Sequence, residues 1–169
     1  MEMLLLISDA NILIDMEDGN LIPIIFQLPY EIAVPDILFE LELRERHSHL
    51  LKAGLKLKSL NSESVKKTEF LTQQYPRPSI MDHSSLALAL QERCPLLTGD
   101  KDLRVAAKKE GVEVHGTISI IEELLNHKII QQSQAKGSFD AMKVKGSRLP
   151  WGDVDKLLNR WEIIGRNHE

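Results

Sequence analysis

Cysteine is almost missing from this chain, with Cys94 the only one. That excludes an internal disulfide and any cysteine-rich zinc site. No stretch approaches the ~20 consecutive apolar residues that a membrane span needs. Basic charge is not in excess either: 21 Lys and Arg stand against 25 Asp and Glu, for a net charge of −4. The global basic field that announces a nucleic-acid partner is therefore absent, although a local basic patch on a mildly acidic protein can still bind RNA. The apolar start MEMLLLI lacks a basic n-region, is shorter than a signal peptide and runs straight into a turn-and-helix pattern. A cytoplasmic protein is expected. Internal repeats and low-complexity segments are missing too.

What remains is an ordinary globular composition, 43% hydrophobic and 27% charged, over 169 residues. That is one domain with a real core and a short helical appendage. Residues 3–8 run apolar without alternation, as in a parallel strand covered on both faces. A helix through NILIDMEDG stops at Gly19, and LIPIIFQLP is a second apolar helix or turn ending at Pro29. EIAV reads as a strand, after which Pro35 and Asp36 open the helix ILFELELRERH, with Asp36 placed to cap it. LKLKSL alternates apolar with basic, the pattern of an edge strand. Ser62 to Tyr75 is a helix, and Ser79 with Asp82 has the spacing of a capping box before SIMDHSSLALALQERC. PLLT, the helix LRVAAKKEG capped by Gly111, the strand VEVH and a helix from Thr117 complete the series. Strands alternating with helices predict an α/β fold with a central parallel sheet and helices on both faces. The domain is placed at residues 1–130. From 131 to 169 a helical extension is expected, with QQSQAKGS as a turn or linker before two short helices. The stripe Val154, Leu157, Leu158, Trp161 and Ile164 either packs on the chain's own body or forms a partner or dimer surface.

In such a sheet, chemistry collects at the carboxyl ends of the strands. Asp9 follows the first strand, Asp100 follows PLLT, and Asp102 comes two residues later. Asp82 sits in the first turn of its helix and heads a stripe that should face the core. Glu40 sits about one turn into its helix. Glu42 competes with it, and Glu40 is preferred as nearer the mouth. Each acid has an ordinary explanation: Asp9 as a cap, Asp82 in a capping box, Asp100 in a turn, Glu40 paired with Arg44 at i+4. One shared cause at one sheet end is the simpler account. Gathered carboxylates resist ionising together, and a divalent cation removes the conflict. Hard oxygen donors without cysteine favour Mg2+ or Mn2+ over zinc. Metal-activated water attacking a phosphodiester is the chemistry such a site supports. Lys101, Arg104 and Lys108, with Lys109 close by, are candidates to hold RNA phosphates. Lys56, Lys58, Lys66 and Lys67 read as solubilising charge, the six histidines as bystanders, and Cys94 as a packing residue.

The segments SDANILID, VPDILFELEL, MDHSSLALAL and LLTGDKDLRVAAKKEGVEVHGT, in that order and spacing, resemble the PIN-domain family, of the VapC-like prokaryotic nuclease kind. The resemblance covers residues 3 to about 126. It implies a Rossmann-like three-layer α/β/α fold and a Mg2+- or Mn2+-dependent endoribonuclease. Asp9, Glu40, Asp82 and Asp100 would form the acidic quartet. Asn11 and Thr98 fall where relatives often carry a small polar residue that orients acids or water, and Asp102 is auxiliary. The resemblance also implies a homodimer and, as in toxin–antitoxin pairs, an antitoxin-like protein inhibitor. The two-helix tail departs from the pattern of those pairs. Two rivals are a non-catalytic PIN-like module that binds RNA or protein, and a phospho-acceptor receiver domain. The receiver wants a paired acid beside Asp9, where Ser8 and Ala10 stand instead.

Overall fold

The computed structural model describes residues 4–167. Five parallel strands form one sheet in the order β3-β2-β1-β4-β5. They are β1 (Leu4–Ser8), β2 (Tyr30–Pro35), β3 (Lys56–Lys58), β4 (Leu96–Leu97) and β5 (Val114–His115). The chain builds outward from β1 to β2 and β3, then returns to the other side of β1 for β4 and β5. The strand order therefore reverses between β1 and β4, where parallel sheets leave a crevice at their carboxyl edge. Ser8 pairs with Leu97 in register there. The Asp9 amide donates to the Leu97 carbonyl at 3.0 Å, and the Thr98 amide donates to His115 at 2.9 Å.

Successive residues of the inner strands feed opposite cores, the period-two rule of a strand. Leu6, Ile32 and Val34 face one cluster, while Ile7 and Ala33 face the other. α1 (Ala10–Asp18) packs on the first side with α8 (Thr117–Asn126) and α9 (Gln132–Val144). α5 (Ser62–Gln74), α6 (Ile80–Glu92) and α7 (Lys101–Lys109) cover the second. Seven successive residues of α6, His83–Ala89, are buried, so this helix is enclosed on all sides. β3 is the exposed edge strand that its alternation predicts.

Two local departures matter. Helix α2 (Asp36–Leu38) widens into a π-type turn at Phe39–Leu43 and resumes as α3 (Arg44–His47), with α4 (His49–Ala53) after a break at Ser48. A π-type turn puts residues five apart on one side, and Leu38 and Leu43 are both fully buried here. Asp36 is the first helical residue rather than the cap; its Oδ1 takes the Ile37 amide and its Oδ2 takes the Ser59 hydroxyl. The second departure is the tail. QQSQAKGS is no linker: α9 runs through it, because Ala135, Ser138, Phe139 and Met142 form one buried stripe at helical spacing. α10 (Trp151–Asn167) follows, with Val154 and Leu157 buried in the same core as α1 and Ile164 exposed. None of the described helices is long and apolar enough to cross a membrane.

Candidate active site

Three of the acids are held by the helices they start. Asp9 caps α1: its Oδ1 accepts the Ile12 amide at 3.0 Å. Asp100 caps α7 through the Leu103 amide at 2.8 Å. Asp82 closes the capping box of α6, its Oδ2 accepting the Ser79 amide at 3.0 Å while Ser79 Oγ accepts the Asp82 amide. Caps of this kind satisfy orphan helix amides. They also fix each carboxylate at the carboxyl edge of the sheet, so the ordinary explanation and the functional one describe the same bonds.

Thr98, at the end of β4, ties two of these acids together. Its hydroxyl donates to Asp9 Oδ2 at 2.5 Å and accepts the Asp100 amide at 3.0 Å. Below it, Ser8 Oγ donates to the Asp9 carbonyl, and Ser85, one turn after Asp82, donates to the Ser8 carbonyl at 3.3 Å. Thr98, Ser8, Ser85 and Asp9 are all fully buried. A carboxylate in such a place is costly to charge. Burial pushes the Asp9 carboxyl from 3.8 up to about 7; the Thr98 and Ile12 bonds pull it down, and the charges of Asp82 and Asp15 push it further up.

Glu40 is not at this cluster. It is exposed and bonded to Arg44 through both carboxylate oxygens, and this pairing first holds its carboxyl below the usual range. Glu42, also at the surface, is the acid of this helix that feels the Asp82 charge; its carboxyl is raised by partial desolvation first and then by that charge. Helix periodicity in the sequence does not separate the two, since both have apolar neighbours, and the π-type turn at Phe39–Leu43 alters the spacing it relies on. A second missed acid is Asp15, which accepts the Thr117 hydroxyl at 3.2 Å and is raised chiefly by burial.

The other candidates separate. Asn11 is exposed in the first turn of α1, outside the bonds that join the acids. Asp102 faces Arg77, at 3.6 Å on the surface. Lys108 is exposed near the far end of α7, about 10 Å along the helix from Lys101. Arg104 is already engaged: its Nη2 donates to the Thr98 carbonyl at 3.1 Å. It thus braces the strand end rather than standing free for a phosphate. Lys101, Arg104, Arg148, Asp15 and Thr117 line a groove of about 420 Å³ beside the acids, with Arg148 supplied by the loop before α10. Nothing in the sequence marked Arg148, since only the folded tail brings it there. Cys94 is half-buried, its thiol pushed up to about 11 by burial and the Glu92 charge, as a packing residue's would be.

Among the described residues, no three of these acids have carboxylate oxygens within 4.8 Å of one another. The set fits a cation that takes one or two carboxylates and keeps several waters, the habit of Mg2+.

A parallel sheet of this order, with acids at the β1–β4 reversal, defines a PIN-type α/β/α fold. The PIN-domain family model matches residues 5–162, and the chain belongs to that family, whose fold is of the nuclease type. Among solved structures it is similar to PAE2754 from Pyrobaculum aerophilum, at 12% identity and a TM-score of 0.53 over 72% of this chain and 96% of that one. It is also similar to a PilT N-terminus domain protein, SSO1118, from Sulfolobus solfataricus P2, at 12% identity and a TM-score of 0.46, over 70% and 90% of the two chains. No curated protein matches the sequence.

Proposed function

We propose that this chain is a divalent-metal-dependent endoribonuclease. The observation that carries the reading is the buried Asp9, ringed by Asp82 and Asp15 and tied through Thr98 to Asp100, at the reversal point of the sheet. So many carboxylates around one buried carboxyl make little sense without a positive partner. Mg2+ or Mn2+ bound there would polarise a phosphodiester and supply a nucleophilic water. One or two of Asp9, Asp82 and Asp100 would bind the cation directly and the others, with Glu42, would hold its waters. Thr98 fixes the Asp9 carboxylate, and Arg104 fixes Thr98. Lys101 and Arg148 hold the RNA backbone by charge alone, without reading bases. A homodimer and an antitoxin-like inhibitor belong to the same proposal.

Cleavage of a labelled single-stranded RNA in Mg2+ or Mn2+ tests it. Wild type cleaves and chelator abolishes cleavage, whereas Asp9→Asn, Asp82→Asn and Asp100→Asn are inactive. Glu42→Gln loses on the order of 10–100-fold, the scale seen when a metal site's support is removed, while Glu40→Gln stays close to wild type. Folded wild type that leaves RNA intact in both metals would instead make the chain a non-catalytic PIN module.

A further inference from the structure

Glu17 lies at the other end of α1 from Asp9, eight residues or about 12 Å along the helix. Its two carboxylate oxygens meet two imidazoles: His47 Nδ1 lies 2.5 Å from Oε2, and His49 Nε2 lies 2.7 Å from Oε1. On a continuous helix, residues two apart point about 200° away from each other. Here α3 ends at His47 and α4 begins at His49, with Ser48 between them still in right-handed helical conformation; the rings meet on Glu17 because His47 reaches it through Nδ1 and His49 through the more distant Nε2. Two apart, they share no helix face, which is why the sequence alone leaves these histidines as bystanders.

One donor atom from each of the three residues lies within 4.8 Å of the other two. Tetrahedral Zn2+, at 2.0–2.1 Å from nitrogen or carboxylate oxygen, needs its donors roughly 3.3 Å apart. The two contacts to Glu17, at 2.5 and 2.7 Å, are shorter than this, so the side chains would open by less than about 1 Å to admit the ion. The His47 side chain is 18% exposed, so one ligand is firmly seated, while His49 at 50% leaves the outer side open for water as a fourth ligand.

We propose that Glu17, His47 and His49 form a second metal site, one that takes a divalent transition ion of the zinc class. Two imidazoles with one carboxylate suit zinc, whereas the all-oxygen cluster around Asp9 suits magnesium or manganese. The ion joins α1 to the α3–α4 corner, 30 residues further along the chain. That corner continues from the π-type turn, so the ion braces the segment that carries Glu42.

The test is Zn2+ binding to the full chain after chelator treatment, with Co2+ as a spectroscopic probe, in wild type, Asp9→Asn, His47→Gln and His49→Gln. Asp9→Asn disables the acid cluster, so this readout is independent of nuclease activity. Wild type and Asp9→Asn should both bind Zn2+ tightly and give the intense visible bands of four-coordinate Co2+. Half-exposed His49 can be replaced without loss of fold, and His49→Gln should weaken Zn2+ at least tenfold and lose those bands; His47→Gln should do the same. The proposal is overturned if wild type takes up no Zn2+, if His49→Gln binds it as wild type does, or if Asp9→Asn alone abolishes binding.

Discussion

Asp9 has both carboxylate oxygens committed, one to the Ile12 amide and one to the Thr98 hydroxyl, and still its carboxyl is pushed up to about 7. Burial outweighs the two bonds, with the Asp82 and Asp15 charges behind it. The consequence for stability has a definite sign. Between 3.8 and about 7 the unfolded chain loses this proton while the folded chain keeps it. Without divalent cation, stability therefore falls as pH rises through that window and levels off above it. Asp9→Asn removes this contribution, on the order of a few kcal/mol above neutrality. Urea unfolding over a pH series should show the variant more stable than wild type at pH 7.5 and near it at pH 4; a variant less stable at both would make Asp9 a cap and nothing more. The placement of Asp9, Asp82 and Asp100 at helix starts was legible because caps and strand ends follow short-range rules. Glu42 was not, because helix periodicity leaves it and Glu40 equivalent and the π-type turn at Phe39–Leu43 has no local mark in the sequence.

Helix starts carry the candidate acids here, and close approaches between elements set their aim. A Cβ on Gly116 would lie 2.7 Å from Arg104 Nη2. Gly116→Ala therefore displaces the guanidinium from the Thr98 carbonyl, and because that group ends a flexible side chain, the fold adjusts at low cost. The expected result is a melting temperature within a few degrees of wild type, corresponding to less than about 1 kcal/mol, with clearly reduced RNA cleavage. Unchanged cleavage would show that Arg104 does not steady the site. Gly19 lies in a close approach too: a Cβ there would meet Met142 Cε at 2.5 Å and the Ser138 carbonyl at 3.3 Å, so Met142 would have to swing aside and α9 to give by a few tenths of an ångström. That contact shows why the start of α9 was hidden in the sequence. Its residues are mostly polar and include Gly137, and only Ala135, Ser138, Phe139 and Met142 seen together reveal the face that α1 buries.

The molecule as a whole is a sheet whose reversal point holds the acids and whose tail completes both the core and the groove. Alternation of strands and helices was enough to expect a parallel sheet, but the order that sets β4 beside β1 depends on packing between distant segments. Phe139 is fully buried among residues of α1 and α8. Phe139→Ala should cost about 3–5 kcal/mol in denaturant unfolding, the range for emptying a core aromatic site. A loss below about 1 kcal/mol would mean that the tail is an appendage, not part of the core. Whether the acids around Asp9 form a cation site is read from thermal melting at neutral pH of wild type and Asp9→Asn, each with and without millimolar Mg2+. Mg2+ should raise the wild-type midpoint, since a ligand bound only by the folded state stabilises it. Asp9→Asn should melt higher than wild type without metal and gain much less from it. No Mg2+ effect on wild type, or an equal gain in Asp9→Asn, would mean that these acids bind no cation.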